Sequence, residues 1–457
     1  MPGESEKRAA NGRSGLRILI APDKFKGSLS AREVSLAIER GLLSGYRALD
    51  GEPSDPPQSR IGPQADDGSE KRLHQAAEEH PKNYPNPQIF IQPIGDGGEG
   101  TMQLLCESRS ECKTIQTKAT GSLGAISDCE FYETVEGGLK KAYIEMASIN
   151  GLALLDPSQR DPEHSLSTGT GELIVQAMER GAAEIYVGLG GSATVDGGAG
   201  ALEALGFIFR DRSNRILAPG ESIFGATDRS ETVADALLRI ASLTIPRVMS
   251  ARLFAVVDVD SPLNGPGGAI ASFALQKGLA PERLELYGRA LEHFSAICER
   301  DLDLRSATAA GVAGLAEDQE RPKSLSVAPG TGAAGGLGFA LALAGAKILP
   351  GFPFFSNAVG LQGKMHVDLV ITGEGKMDKT SLVGKGPGGI ARMAREAGLP
   401  CIAICGKVED RETLIESGLF QEIIAISDGV SATESMKNAA ALIEKAAASV
   451  ARRWNRD

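Results

Sequence analysis

Several familiar chemical signatures are missing from this chain. Its six cysteines (Cys106, Cys112, Cys129, Cys298, Cys401 and Cys405) form no C-x-x-C pair and have no histidine at zinc-site spacing. Neither a zinc site nor a disulfide framework is therefore expected, and a reducing compartment is the simple inference. No apolar run approaches the ~20 residues needed to span a bilayer. The segment before Leu16 lacks the apolar stretch of a secretory signal, and its Glu4 and Glu6 fit poorly with an organellar transit peptide. A disordered tail over 1–15 and a cytoplasmic location are expected. Basic residues are in deficit, 48 Lys and Arg against 59 Asp and Glu, for a formal charge of −11. That balance argues against nucleic acid or an anionic membrane as the main partner, while leaving a small anion open. No G-x-x-x-x-G-K-[ST] occurs: the Gly-Lys pairs starting at 363, 375, 384 and 406 are all followed by something else. A P-loop NTPase is excluded, and neither a protein-kinase signature set nor a G-x-S-x-G elbow is present. The five histidines are scattered and carry no chemistry here.

Glycine is abundant, with 56 in 457 residues, well above the usual ~7%. The richest stretch, Gly188–Gly200, follows the β-branched run 184–187 and leads into 201–205, which has helical composition. Strand, glycine loop and helix start in that order are expected to make an anion site, with Ser192 and Thr194 adding hydroxyls and Asp196 a carboxylate. The pattern Asp-Gly-Gly-x-Gly also occurs upstream, at 96–100, again opening a helix.

The length implies two domains. Residues 17–22 read as a buried strand, and Ser30 with Glu33 forms a capping-box pattern at the start of a helix. A polar, Pro-rich stretch over 50–87 reads as a surface insertion before a second strand at 88–94. Residues 113–145 have hairpin character, whereas from Val367 strands and helices alternate cleanly. The expected fold is α/β in two domains. A Rossmann-like, doubly wound parallel-sheet domain comprises 16–106 and 329–457, and a mixed α/β domain, 107–328, is inserted in it.

Charged residues at strand ends supply the site candidates, because open α/β sheets bind ligands there. Asp23, Lys24 and Lys26 follow the first strand, and Asp96 and Glu99 the second, although Asp and Glu at that spacing also cap helices. Asp258 and Asp260 alternate on one strand face and suit Mg²⁺. Gln276 and Lys277 offer an amide and a cation, while Glu374 and Lys385 close later loops. Gly330-x-Gly332-x-x-Gly335 matches a dinucleotide fingerprint literally, but no acidic residue lies between Gly330 and Asp368 to read a ribose. Carboxylates, lysines, hydroxyls and backbone donors without a redox motif suit phosphoryl transfer.

Taken together, these motifs resemble the type-1 glycerate kinase family over nearly the whole globular length. The matching stretches are 20–30, 95–101, 144–147, 169–173, 190–198, 258–263, 276–278, 332–338 and 368–375. The resemblance implies a two-domain fold and phosphorylation of D-glycerate by ATP with Mg²⁺, giving 2-phosphoglycerate in preference to 3-phosphoglycerate. It makes small-molecule substrate and nucleotide the partners. Within it, Asp196 is the first choice to orient or deprotonate the attacking hydroxyl and Asp96 the second. Lys26 and nearby backbone donors hold the carboxylate of glycerate, and Asp258 and Asp260 hold Mg²⁺ or orient the substrate. Asp23, Lys24, Gly190, Gly191, Ser192, Thr194, Glu99, Gln276, Lys277, Gly335, Glu374 and Lys385 line the substrate and phosphates. Lys24 stands where the family usually has Ser, and with the insertion it leaves a second reading open, an inactive small-anion-binding relative.

Overall fold

The computed structural model describes residues 15–49, 86–218, 230–244, 250–301, 324–383 and 386–454. They fall into two compact units: Met1–Pro93, Gln362–Val383 and Pro387–Asp457 form one, and Ile94–Leu361 with Gly384–Gly386 the other. The sequence pattern set these divisions near 106 and 328 instead. The difference has a physical origin. The helix Thr101–Glu107 packs on the strand Leu139–Glu145, and Lys347–Pro350 pairs with Arg252–Val257, so both segments join the inserted unit.

In the first unit, five parallel strands run in the order Glu422–Ala425, Cys401–Cys405, Leu369–Thr372, Arg17–Ile20, Gln88–Ile91. Numbered along the chain this is 5-4-3-1-2, a doubly wound order whose switch point lies between the first strand and Leu369–Thr372. The helix Ala31–Leu49 starts as its sequence implies. Ser30 N–H and Oγ–H donate to Glu33 Oε2 at 2.8 Å each, and Glu33 N–H returns a bond to Ser30 Oγ at 3.2 Å. This helix packs closely on Ala439–Trp454, and a Cβ at Gly41 would lie 2.3 Å from the Glu444 carbonyl oxygen. Only glycine admits that approach.

The second unit holds a six-stranded mixed sheet, in the order Lys347–Pro350, Arg252–Val257, Glu184–Gly188, Leu139–Glu145, Ile126–Glu136, Lys113–Thr120. The first four are parallel and the last two pair antiparallel, which is the hairpin the sequence suggested. Its core is aliphatic and aromatic, with Phe131, Phe209, Phe294 and Phe339 fully buried. The α/β fold expected from the sequence is therefore present.

One expectation from composition fails. Cys106, at the end of the helix Thr101–Glu107, forms a disulfide with Cys112, just before the strand Lys113–Thr120. Sequence spacing could not show this, because the turn of the chain at 108–112 brings the two Cα atoms to 5.2 Å. Cys129, Cys298, Cys401 and Cys405 are free and buried. Among the described residues no helix is long and apolar enough to cross a membrane.

Candidate functional site

The candidate residues fall into two groups, one in each unit. In the first unit they lie at the switch point, where the loops after two adjacent parallel strands meet. Asp23 N–H donates to the Gly373 carbonyl at 2.8 Å, and a Cβ on Gly375 would sit 3.0 Å from the Lys26 nitrogen. Asp23 is buried and accepts from the backbone of Lys24 at 2.7 Å, so it shapes its own turn. Lys26 is exposed, while Lys24 and Glu374 are half-buried. Asp378, at the far end of the same loop, accepts from Thr380 N–H and Oγ–H and caps a short turn. Lys385 lies outside the described residues.

In the second unit three glycine loops pack backbone against backbone, with the 258–263 turn alongside. A Cβ on Gly190 would lie 2.4 Å from Gly98 Cα, which brings the loops at 95–100 and 188–200 together. Gly335, at φ +67°, faces the Thr194 carbonyl, which a Cβ would approach to 2.0 Å. The same loop accepts from Gly197 N–H at 3.0 Å through the Gly335 carbonyl. Gly332 N–H donates to the Ser261 carbonyl at 2.9 Å, and Leu263 N–H to Thr331 Oγ1 at 3.0 Å, fastening the 258–263 turn alongside. The literal dinucleotide fingerprint is thus accounted for by close packing, and Gly335 is buried in it.

At both helix starts backbone N–H groups are taken up by carboxylates of the chain itself. Asp196 is fully buried, and its Oδ2 accepts from Ser167 N–H (2.9 Å), Ser167 Oγ–H (2.7 Å) and Gly200 N–H (3.1 Å). Its Oδ1 accepts from Gly198 N–H at 3.1 Å, and Ser167 Oγ accepts from Ala201 N–H at 3.1 Å. In the upstream loop Glu145 accepts from Gly100 N–H (2.9 Å), Met102 N–H (2.8 Å) and Gln103 N–H (3.3 Å). These donors are spent on carboxylates of the chain itself, and the helices that follow, Ala199–Ala204 and Thr101–Glu107, are short.

What remains open lies one step earlier in the loop. Gly191 is exposed, Ser192 keeps 6% of its surface, and the carboxylate of exposed Glu99 lies 3.7 Å from a Cβ built on Gly191. Beneath them Lys277 is buried and donates to Ser192 Oγ at 2.6 Å and to the Thr194 carbonyl at 2.7 Å. Burial pushes its amine down to about 7, against the opposing pull of the Asp196 carboxylate. Thr194 is fully buried, and its Oγ1 has no hydrogen-bond partner among the described residues. Gln276 is exposed beside Lys277, and Asp96 is half-buried, bonded by Gly98 N–H at 3.1 Å. The strand Arg252–Val257 ends before Asp258, so Asp258 (half-buried) and Asp260 (exposed) sit on the following turn rather than on one strand face.

Sequence reasoning assigned no role to Glu145, Ser167 or Asn150. Asn150, fully buried, accepts from Thr170 N–H and Oγ–H, and its carbonyl takes Ala193 N–H from the glycine loop. Glu145 lies in the stretch 144–147, but the pairing partners are 45 and 29 residues away for Glu145–Gly100 and Ser167–Asp196.

Comparison with known proteins identifies the family. The model of the glycerate kinase family matches residues 69–455. A glycerate kinase from Bacillus subtilis (strain 168) is 32% identical, with 95% of this chain and 97% of that protein covered. A glycerate 2-kinase from Escherichia coli (strain K12) is 33% identical, with 86% of each covered. A crystal structure of a candidate glycerate kinase 2 from Salmonella typhimurium LT2 matches with a TM-score of 0.66 at 30% identity, covering 96% of this chain and 98% of that one. With its doubly wound first unit, its clustered glycine loops and these matches end to end, the chain is a kinase belonging to the glycerate kinase family.

Proposed function

We propose that this chain transfers the γ-phosphoryl group of ATP to the 2-hydroxyl of D-glycerate, giving 2-phosphoglycerate and ADP. One observation carries the proposal: the glycine loops at 95–100, 188–200 and 330–338 pack backbone on backbone, and the buried amine of Lys277 holds Ser192 of the middle one. Phosphoryl transfer needs positioning and charge neutralisation more than covalent chemistry, and packed backbone loops hold such groups in place. The preference for the 2-hydroxyl is supported by the Escherichia coli relative's designation as a glycerate 2-kinase.

In this reading Ser192 and the exposed turn at Gly191 meet the reacting groups, while Asp96 and Glu99 orient hydroxyls from the adjoining loop. Asp196, saturated with hydrogen bonds, holds the loop in shape. In the first unit Lys26 and Lys24 offer cations to an anionic group. Asp258 and Asp260 would hold Mg²⁺. Among the described residues no cluster of three or more potential ligands occurs, so two hard carboxylate oxygens suit an ion that takes its other positions from phosphate and water. When bound, Mg²⁺ neutralises charge on the transferring group.

The test is ³¹P NMR of the product formed from ATP and D-glycerate, run beside a coupled assay of ADP release. A phosphate on C2 gives a doublet from one neighbouring proton, whereas one on C3 gives a triplet from two. A triplet overturns the 2-hydroxyl assignment, and no ADP release with D-glycerate overturns the kinase reading in favour of an inactive relative.

A further inference from the structure

Resting on the glycerate kinase reading, we infer that Ser192 and Lys277 form a proton relay. The acceptor hydroxyl gives its proton to Ser192 Oγ as Ser192 gives its own to Lys277 Nζ.

The geometry of the cluster is specific. Among the described residues Lys277 Nζ donates to Ser192 Oγ at 2.6 Å and to the Thr194 carbonyl at 2.7 Å. A carbonyl can only accept, so the Thr194 bond anchors the amine by one of its N–H groups. A hydroxyl can accept or donate, so the Ser192 bond can reverse once Lys277 carries a lone pair. Reversal is what a relay requires, and a lysine kept only as a structural clamp has no use for it. Burial favours the neutral amine, which places the changeover near pH 7.

The surroundings fit the same role. Lys277 ends a short turn, Leu275–Lys277, which Gly278 closes at φ +102°, so the amine is delivered from a fixed backbone rather than from a mobile tip. A charged side chain acting on it is Asp196, itself held by Ser167, Gly198 and Gly200. That carboxylate stabilises the ammonium formed when the proton arrives, without taking the proton. The hydroxyl of Thr194, whose carbonyl anchors Lys277, is buried without a hydrogen-bond partner among the described residues.

The step balances. The acceptor O–H bond breaks and its proton passes to Ser192 Oγ, while the Ser192 proton passes to Nζ. The acceptor oxygen's electron pair forms the new O–P bond, and the bond from the γ-phosphorus to the bridging oxygen breaks, leaving ADP with that pair. After product leaves, the ammonium returns its proton through Ser192 to water.

The experiment is the pH profile of kcat and KM for wild type, Ser192→Ala and Lys277→Arg, with the fold of each checked by circular dichroism. Wild-type kcat is expected to fall about tenfold per pH unit below about 7. Ser192→Ala is expected to lose about 10²-fold in kcat, with KM for ATP within threefold and the acid limb abolished. Lys277→Arg keeps a charge and two donors but cannot become neutral, so a merely structural role is rescued by it and the relay is not. If Lys277→Arg retains wild-type kcat, or Ser192→Ala keeps kcat within threefold and an unchanged profile, the relay is overturned. Absence of ADP release by the wild type overturns the kinase reading and the relay with it; turnover by an unaffected Ser192→Ala overturns the relay alone.

Discussion

Asp96 and Asp196 occupy the same place in the same pattern, Asp-Gly-Gly-x-Gly, yet their carboxylates do different work. Asp196 is fully buried and takes four hydrogen bonds, two of them from the glycines of its own motif. Asp96 is half-buried and, among the described residues, takes a single bond, from Gly98 N–H, while its helix start is held by Glu145 from a neighbouring strand. One loop is closed from within and the other from outside, first at Glu145 and then at the disulfide that ends its helix. A five-residue motif thus fixes a backbone shape, while the neighbouring elements decide whether its acid is a strut or stays available.

The sharpest way to break this comparison is Asp196→Asn. Either amide orientation sets an NH₂ group against at least one buried N–H donor, so a loss of about 3 kcal/mol in unfolding free energy is expected, measured by urea denaturation. A stable variant with turnover reduced 10²-fold or more would restore Asp196 as the base.

The charge beneath the same loop gives the next effect. Lys277 is pushed from 10.5 to about 7 by burial, so the folded chain holds this proton less tightly than the unfolded chain. Unfolding therefore takes up a proton between about pH 7 and 10.5, and stability rises with pH across that window. From pH 7 to 9 the wild type should gain about 2 kcal/mol relative to Lys277→Met, and this pH dependence vanishes well below pH 7.

The outer support of the other loop is tested by Cys112→Ser or by reductant. Closing so short a loop, with a separation of six residues, contributes at most about 2 kcal/mol. Loss of the disulfide should lower the melting temperature of wild type but leave Cys112→Ser unmoved by dithiothreitol. Glu145→Gln sets an amide against the Gly100 N–H and should cost about 1 kcal/mol. Asp96→Asn should cost under about 0.5 kcal/mol, the smallest effect of all. Were Asp96→Asn and Asp196→Asn equally destabilising, the contrast between the loops would be wrong.

Much of the fold was legible because it is written in local terms. The capping box at Ser30 and Glu33 involves residues three apart, and the hairpin strands of 113–145 are chain neighbours. The strand alternation after Val367 likewise reports a parallel sheet without knowledge of its order. The candidate site was legible only as an inventory. Gly190 and Gly335 were marked as ligand-binding glycines, whereas Gly98 and the Thr194 carbonyl occupy the space their side chains would need. Lys277 looked the same as any surface lysine until Ser192, 85 residues away, was found beside it.

By itself, the sequence determined the doubly wound alternation, the positions of the glycine loops, the absence of a P-loop and the family resemblance. Each of these depends on residue type at short spacing. Only the tertiary structure decided that residues 94–106 and 329–361 belong to the second unit, that Cys106 meets Cys112, and that Asp196 is sealed while Ser192 keeps a little exposure. Those outcomes depend on burial and on hydrogen bonds between distant segments. Whether a carboxylate or an amine is spent on the fold or kept for chemistry is set by which donors and acceptors the rest of the chain brings to it.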